Sequence, residues 1–219
     1  MSEIAHIVAT IFRRATNARR FIVAIAGPPA AGKSTAAAEI AALFPENTAA
    51  VVGMDGFHYD DAVLAQLGLS QRKGAPETFD VDGFESLILR LRVADRDVAV
   101  PVFDRGQELS RAAAAIVSRD VRFVIVEGNY LLLDEQPWSR LAPLFDFTVF
   151  LDVPRAEIER RLVARWLAYG RSEEAGRGWI DTNDMPNAER ILARRRKSDV
   201  IWGSEPKPSI DGCMTERSS

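Results

Sequence analysis

The chain has 219 residues, 47% of them apolar and 27% charged, with a formal net charge of −3. This suits one ordinary domain with a substantial core, and the slight acidity argues against a nucleic-acid partner because no excess of base is present to replace counterions. A single cysteine, Cys213, excludes an internal disulfide and fits a reducing compartment, and no apolar run approaches the roughly 20 residues that cross a bilayer.

In chain order, Ile4, Ile7, Val8, Ile11 and Phe12 fall on one helical face, followed by Arg13, Arg14, Arg19 and Arg20. A secretory signal carries its positive charge before the apolar stretch, not after it. A strand starting at Phe21 leaves no room for a cleavable linker. An amphipathic helix packed on the domain is expected, and the cytoplasm is the expected location.

Apolar runs that read as buried parallel strands follow at Phe21–Ala26, Ala49–Met54, Phe123–Val126, Phe147–Val153 and Asp199–Trp202. Helical periodicity fills Thr35–Phe44, Phe84–Val93, Pro154–Tyr169 and Pro186–Lys197. This alternation predicts a doubly wound parallel sheet with ligands at the strands' carboxyl ends. Residues 55–120 carry clusters of Gly, Pro, Asp and Arg instead of one crossover helix, as expected of a functional insertion where an acceptor would sit. The polar stretch 203–219 reads as a loosely ordered tail.

Between the first strand and first internal helix stands Gly27-Pro28-Pro29-Ala30-Ala31-Gly32-Lys33-Ser34-Thr35, a G-x-x-x-x-G-K-[ST] loop. Gly27 and Gly32 allow backbone angles that turn successive N–H groups inward around an anion, and the following helix aims its positive end there. Lys33 is expected on the β- and γ-phosphates of a nucleoside triphosphate, with the Ser34 hydroxyl on Mg²⁺.

Asp55 stands just past the second strand, in Val51-Val52-Gly53-Met54-Asp55-Gly56-Phe57-His58-Tyr59. It is expected to take the proton of an attacking hydroxyl, hold Mg²⁺ through water, or merely cap a turn. His58 is either a partner of the acceptor or an ordinary loop residue. Glu127 ends Phe123-Val124-Ile125-Val126-Glu127-Gly128, with Mg²⁺ coordination, orientation of the acceptor or turn capping as its readings. Asp152 reads more weakly, as a cap for the helix from Pro154. That helix carries Arg155, Arg160, Arg161 and Arg165, with Arg171 beyond. Arg161 and Arg165 share a face, either turned toward the triphosphate or solvated and paired with Glu157 and Glu159. Arg194, Arg195, Arg196 and Lys197 read as a solvated helix end. Trp138 and Trp166 read as packing aromatics, His6 as surface or packing, and Cys213 as no nucleophile.

Together these segments resemble the uridine kinase, pantothenate kinase and phosphoribulokinase branch of P-loop kinases. The phosphate loop, Asp55-Gly56-Phe57-His58-Tyr59, the Arg72–Asp80 run Arg-Lys-Gly-Ala-Pro-Glu-Thr-Phe-Asp, Val124–Gly128, and the Asp152–Arg171 helix carry the likeness. The pattern is most similar to short bacterial kinases labelled fructose transport system kinases. The resemblance implies an α/β three-layer P-loop sandwich of about five parallel strands with helices on both faces and an arginine-bearing lid. One kinase domain would span 1–202, with the acceptor elaboration at 56–120 and the lid at 154–180.

It also implies transfer of the γ-phosphate of ATP, with Mg²⁺, to an alcohol of a small molecule. Asp55 matches the base, Glu127 the second acid, and Arg161 and Arg165 the lid arginines. Arg72, Asp104 and Arg105 would lie by the acceptor, and relatives are often homodimers. Pantothenate kinases carry Tyr-Ser-His where Phe103-Asp104-Arg105 stands, and uridine kinases have no close equivalent of Arg72–Asp80. A sugar or related polyol is therefore the expected acceptor, with a nucleoside or pantothenate-type substrate as the alternative. A nucleotide-binding regulator without turnover is the reading from another class. A GTPase would need Asn-Lys-x-Asp or Thr-Lys-x-Asp, and an ABC ATPase Leu-Ser-Gly-Gly-Gln; none occurs.

Overall fold

A computed structural model describes residues 2–170 and 172–203. Expectations for Arg171, Cys213 and the tail beyond Gly203 lie outside those residues. Five parallel strands form the main sheet: β1 (Phe21–Ala26), β2 (Ala49–Gly53), β5 (Phe123–Gly128), β6 (Phe147–Leu151) and β7 (Val200–Trp202), in the order β2-β5-β1-β6-β7. Each expected strand is present, with its ends within two residues.

The sheet is buried on both faces, which is why its strands read as unbroken apolar runs. Ile22, Ala24, Val124, Val126 and Phe150 point into one core, and Val23, Ile25, Phe123, Ile125 and Val149 into the other. The second core is covered by α1 (Glu3–Arg14), through Ile7, Val8 and Ile11, and by α2 (Lys33–Ala42), through Ala36, Ala37 and Ile40. Phe12 leans on the Phe44 and Phe123 rings, at 4.9 and 5.3 Å.

The first core is covered by α4 (Val81–Val93), which starts at an Asp80 cap accepting from the Gly83 N–H at 2.9 Å. Trp138, buried there, donates its indole N–H to the Pro76 carbonyl at 3.1 Å. The chain places β2 and β5 on one side of β1 and β6 and β7 on the other, so the switch point falls at the carboxyl end of β1.

The 55–120 segment is more regular than its composition suggests. After the short α3 (Asp61–Gln66) and α4 it forms an antiparallel hairpin outside the main sheet, β3 (Val98–Asp104) with β4 (Leu109–Val117), with a bulge between Val100 and Val102. Beyond β6 come α5 (Arg155–Ala168), α6 (Glu173–Trp179), a π-helical turn over Ile180–Asp184, and α7 (Met185–Arg194).

Two expectations are corrected. The 194–197 basic run is a solvated helix end only in part: Arg194 ends α7 and is exposed, as is Lys197, whereas Arg195 lies 4.1 Å above the Phe150 ring. The Arg196 N–H bonds the Leu132 carbonyl at 2.8 Å, and burial lowers the basicity of its guanidinium. Asp152 does not cap α5, whose cap position is Pro154. Among the described residues no helix is long and apolar enough to cross a membrane.

Candidate active site

The phosphate loop connects β1 to α2 at the switch point. Gly32 (φ +92°) and Ala30 (φ +60°) both take left-handed backbone angles, so one of the loop's two special turns is made by an alanine and not by Gly27. Lys33 is buried, and its ammonium donates to the Pro28 carbonyl at 2.8 Å. Desolvation pulls its pKa down to about 8, against the opposing charges of Glu127 and Asp55, so it stays protonated at neutral pH.

Strand register brings the two acids beside the loop: Ile25 pairs with Glu127 on β5, and Glu127 pairs with Gly53 on β2. Glu127 accepts from the Ser34 hydroxyl at 3.1 Å, and burial raises its pKa despite Lys33. Ser34 and Glu127 thus offer two hard oxygens at the mouth of the loop. Among the described residues no cluster of three or more His, Cys, Asp or Glu is found, here or elsewhere. That donor set fits Mg²⁺, which takes one or two protein oxygens and completes its shell with phosphates and water.

Asp55 sits in the single turn Met54–Phe57 that follows β2. The hairpin is fitted against this turn without clearance. A Cβ on Gly56 would lie 2.7 Å from the Pro101 carbonyl oxygen, and the Ser110 hydroxyl donates to the Gly56 carbonyl. The fit delivers Arg105, in the hairpin loop, to Asp55, to which it donates a charge-assisted hydrogen bond.

The His58 ring packs at a tilt against Phe79 and Phe103, with centroids 4.0 and 5.0 Å away, and its buried Nδ1 has no hydrogen-bond partner. Burial pushes its pKa down to about 4, leaving the imidazole neutral. Asp104 has a different engagement from its neighbour. It accepts from the Gly106 and Gln107 N–H groups and pairs with Arg111 at 3.3 Å, closing the hairpin turn. Arg72 pairs with Glu77 at 3.2 Å and donates to the Asn183 amide oxygen at 3.5 Å.

From the other side, α5 presents Arg161 to the phosphate loop. Its guanidinium donates to the Ala30 and Ala31 carbonyls, both at 3.3 Å, and to Glu157 at 2.6 Å. Hydrogen bonds from Arg160 and Arg161 draw the Glu157 carboxyl down to about 2. The charge of Arg165 is felt at Lys33. Arg155 turns outward to Glu189 at 3.1 Å.

A cavity of about 430 Å³ opens beside the loop between α2, the end of β6 and α5, lined by Thr35, Glu39, Asp152, Glu157 and Trp202. Three participants escape sequence reasoning. Trp202 gives no local signal beyond ending the last strand. Lys73 lies 5.7 Å above the Phe103 ring and pairs with Asp61 at 2.7 Å. Asn183, buried in the π-turn, donates to the Lys73 carbonyl at 2.8 Å and is reached only through the folded chain.

The model of the phosphoribulokinase / uridine kinase family matches residues 22–207. The uncharacterized protein YggC of Escherichia coli is 37% identical over 188 residues, covering 84% of this chain and 77% of that one. A pantothenate kinase of Enterococcus faecalis is 29% identical over 219 residues, covering 87% and 71%. Among solved structures, a "putative fructose transport system kinase" from Silicibacter sp. superposes with a TM-score of 0.87 at 39% identity, covering 93% of this chain and all of that one. This chain belongs to the phosphoribulokinase / uridine kinase family, as a P-loop phosphotransferase that uses ATP with Mg²⁺ and an alcohol group as acceptor.

Proposed function

We propose that this enzyme phosphorylates a hydroxyl of a sugar, polyol or related small metabolite, with Asp55 as the base. The carrying observation is that Lys33, Glu127, Asp55 and Arg105, from four separate segments, interact electrostatically in one cleft beside the phosphate loop. The triphosphate lies along Gly27–Thr35, its nucleoside part fills the adjoining cavity, and Ser34 and Glu127 hold Mg²⁺, with Asp55 reaching it through water. Asp55 accepts the acceptor's hydroxyl proton. The hydroxyl oxygen bonds to the γ-phosphorus as the bond to the β–γ bridging oxygen breaks, and ADP departs. Arg161 and Arg165 offset the charge that moves onto the phosphoryl oxygens, and His58, Arg72, Asp104 and Arg105 border the acceptor.

In this reading the enzyme works in the cytoplasm as a homodimer, with one kinase domain over residues 1–202. An ATP-consumption screen against sugars, polyols, nucleosides, pantothenate and glycerate identifies the acceptor. With that acceptor, Asp55→Asn lowers kcat about 10²- to 10⁴-fold. A change within a few-fold refutes the base assignment, and nucleotide binding without turnover of any acceptor favours a regulator.

A further inference from the structure

Arg105 does more than border the acceptor. Its guanidinium is hydrogen-bonded to the carboxylate assigned as base, and it lies 5.5 Å from the centre of the Phe103 ring. Lys73 approaches the same ring at 5.7 Å, so one aromatic ring has two cations beside it. The carboxylates that pair with Lys73, Asp61 and Glu108, are 67% and 55% exposed, and pairs of that kind hold an ammonium weakly. The neutral His58 ring also lies 5.0 Å from Phe103 and supplies an unmatched buried nitrogen.

A guanidinium does not discharge at any working pH. When Asp55 turns to an incoming hydroxyl, Arg105 loses its only charged hydrogen-bond acceptor among the described residues. The hydroxyls of a neutral polyol return about half the strength of a charge-assisted bond, whereas a carboxylate or phosphate restores a bidentate pair.

We propose that the acceptor carries an anionic group, a carboxylate or a phosphate, within a few bonds of the hydroxyl that is phosphorylated, and that Arg105 and Lys73 receive it. The inference rests on Asp55 being the base. Because Arg105 and Asp55 touch, the anion and the reacting hydroxyl must lie close together. The class is therefore that of small hydroxy acids, sugar acids and phosphosugars, not free sugars.

The test uses matched acceptors with the full-length enzyme and Mg-ATP: glycerol against glycerate and glycerol 3-phosphate, sorbitol against gluconate, and fructose against fructose 6-phosphate. ADP release is followed in wild type, Arg105→Gln, Lys73→Gln and Asp55→Asn. At least one anionic member should exceed its neutral partner tenfold or more in kcat/KM, and the arms show whether carboxylate or phosphate is preferred. Arg105→Gln should erase that ratio mainly through KM, and Lys73→Gln should reduce it less.

Calorimetry of gluconate and fructose 6-phosphate with a non-hydrolysable ATP analogue gives a second readout, where binding should be lost in Arg105→Gln. Asp55-dependent turnover of neutral members at equal or higher efficiency overturns the anionic acceptor and leaves the kinase reading standing. An anion preference abolished by Arg105→Gln but untouched by Asp55→Asn keeps the anion site and removes the base assignment. Absence of both anion binding and anion turnover overturns the proposal.

Discussion

The two sides of the cleft are built in opposite ways. The phosphate side is nearly continuous: β1, the loop and the start of α2 occupy residues 21–35, and one neighbouring strand adds Glu127 by register. The acceptor side is assembled from distant pieces, with Arg105 meeting Asp55 across 50 residues and Arg72 meeting Asn183 across 111. A site encoded in one strand–loop–helix unit keeps its geometry through backbone conformation. One gathered from several loops keeps it through tertiary contacts, and changes more readily without disturbing the first.

Substitutions can break or sharpen that division. The largest effect is expected for Lys33→Ala, about 10³-fold in kcat/KM for ATP, from losing the ammonium proposed to meet the transferring phosphates. Near-normal turnover would mean that the nucleotide lies elsewhere. Next, Gly56→Ala forces a methyl group against the Pro101 backbone and should shift the hairpin that carries Arg105. The expected result is a loss of about tenfold or more in acceptor kcat/KM, with nucleotide affinity by equilibrium titration unchanged within twofold. A matching fall in nucleotide affinity would show that the two sides are not separable.

Asn183→Leu leaves the Lys73 carbonyl without its amide partner and should cost about 1–3 kcal/mol in urea unfolding. The smallest effect concerns acid. The folded imidazole of His58 titrates near 4, below its ordinary 6.5, so the unfolded chain takes up the proton first. The stability present above pH 6.5 is therefore lost as pH falls toward 4, and His58→Gln should lessen that loss by up to about 3 kcal/mol. Unfolding curves at pH 7 and 4.5 give the comparison, and equal acid losses in both proteins would contradict a buried neutral imidazole.

The same division explains what the sequence makes legible. Strands buried on both faces announce themselves as apolar runs, and the loop between β1 and α2 has a spacing dictated by phosphate geometry. The hairpin announces nothing. Leu109–Val117 contains Ala112 to Ala115, residues with little strand preference, exposed on the outside of the molecule, and its turn lacks an Asn-Gly or Asp-Gly pair. Asp104 and Arg105 are adjacent in sequence, and only the folded turn separates their engagements, one closing the hairpin and the other reaching Asp55. The Arg194–Lys197 run looked solvated because charge clusters at helix ends usually are; here Arg195 covers an aromatic ring and Arg196 is drawn under the chain.

The π-turn that holds Asn183 packs against α5, α6 and α7. Its amide joins the arginine-bearing arm to the 72–80 run at two points, donating to the Lys73 carbonyl at 2.8 Å and accepting from Arg72 at 3.5 Å. The strap that carries Lys73 is therefore held in place by a residue 110 positions further along the chain, so its setting depends on the π-turn as much as on its own sequence.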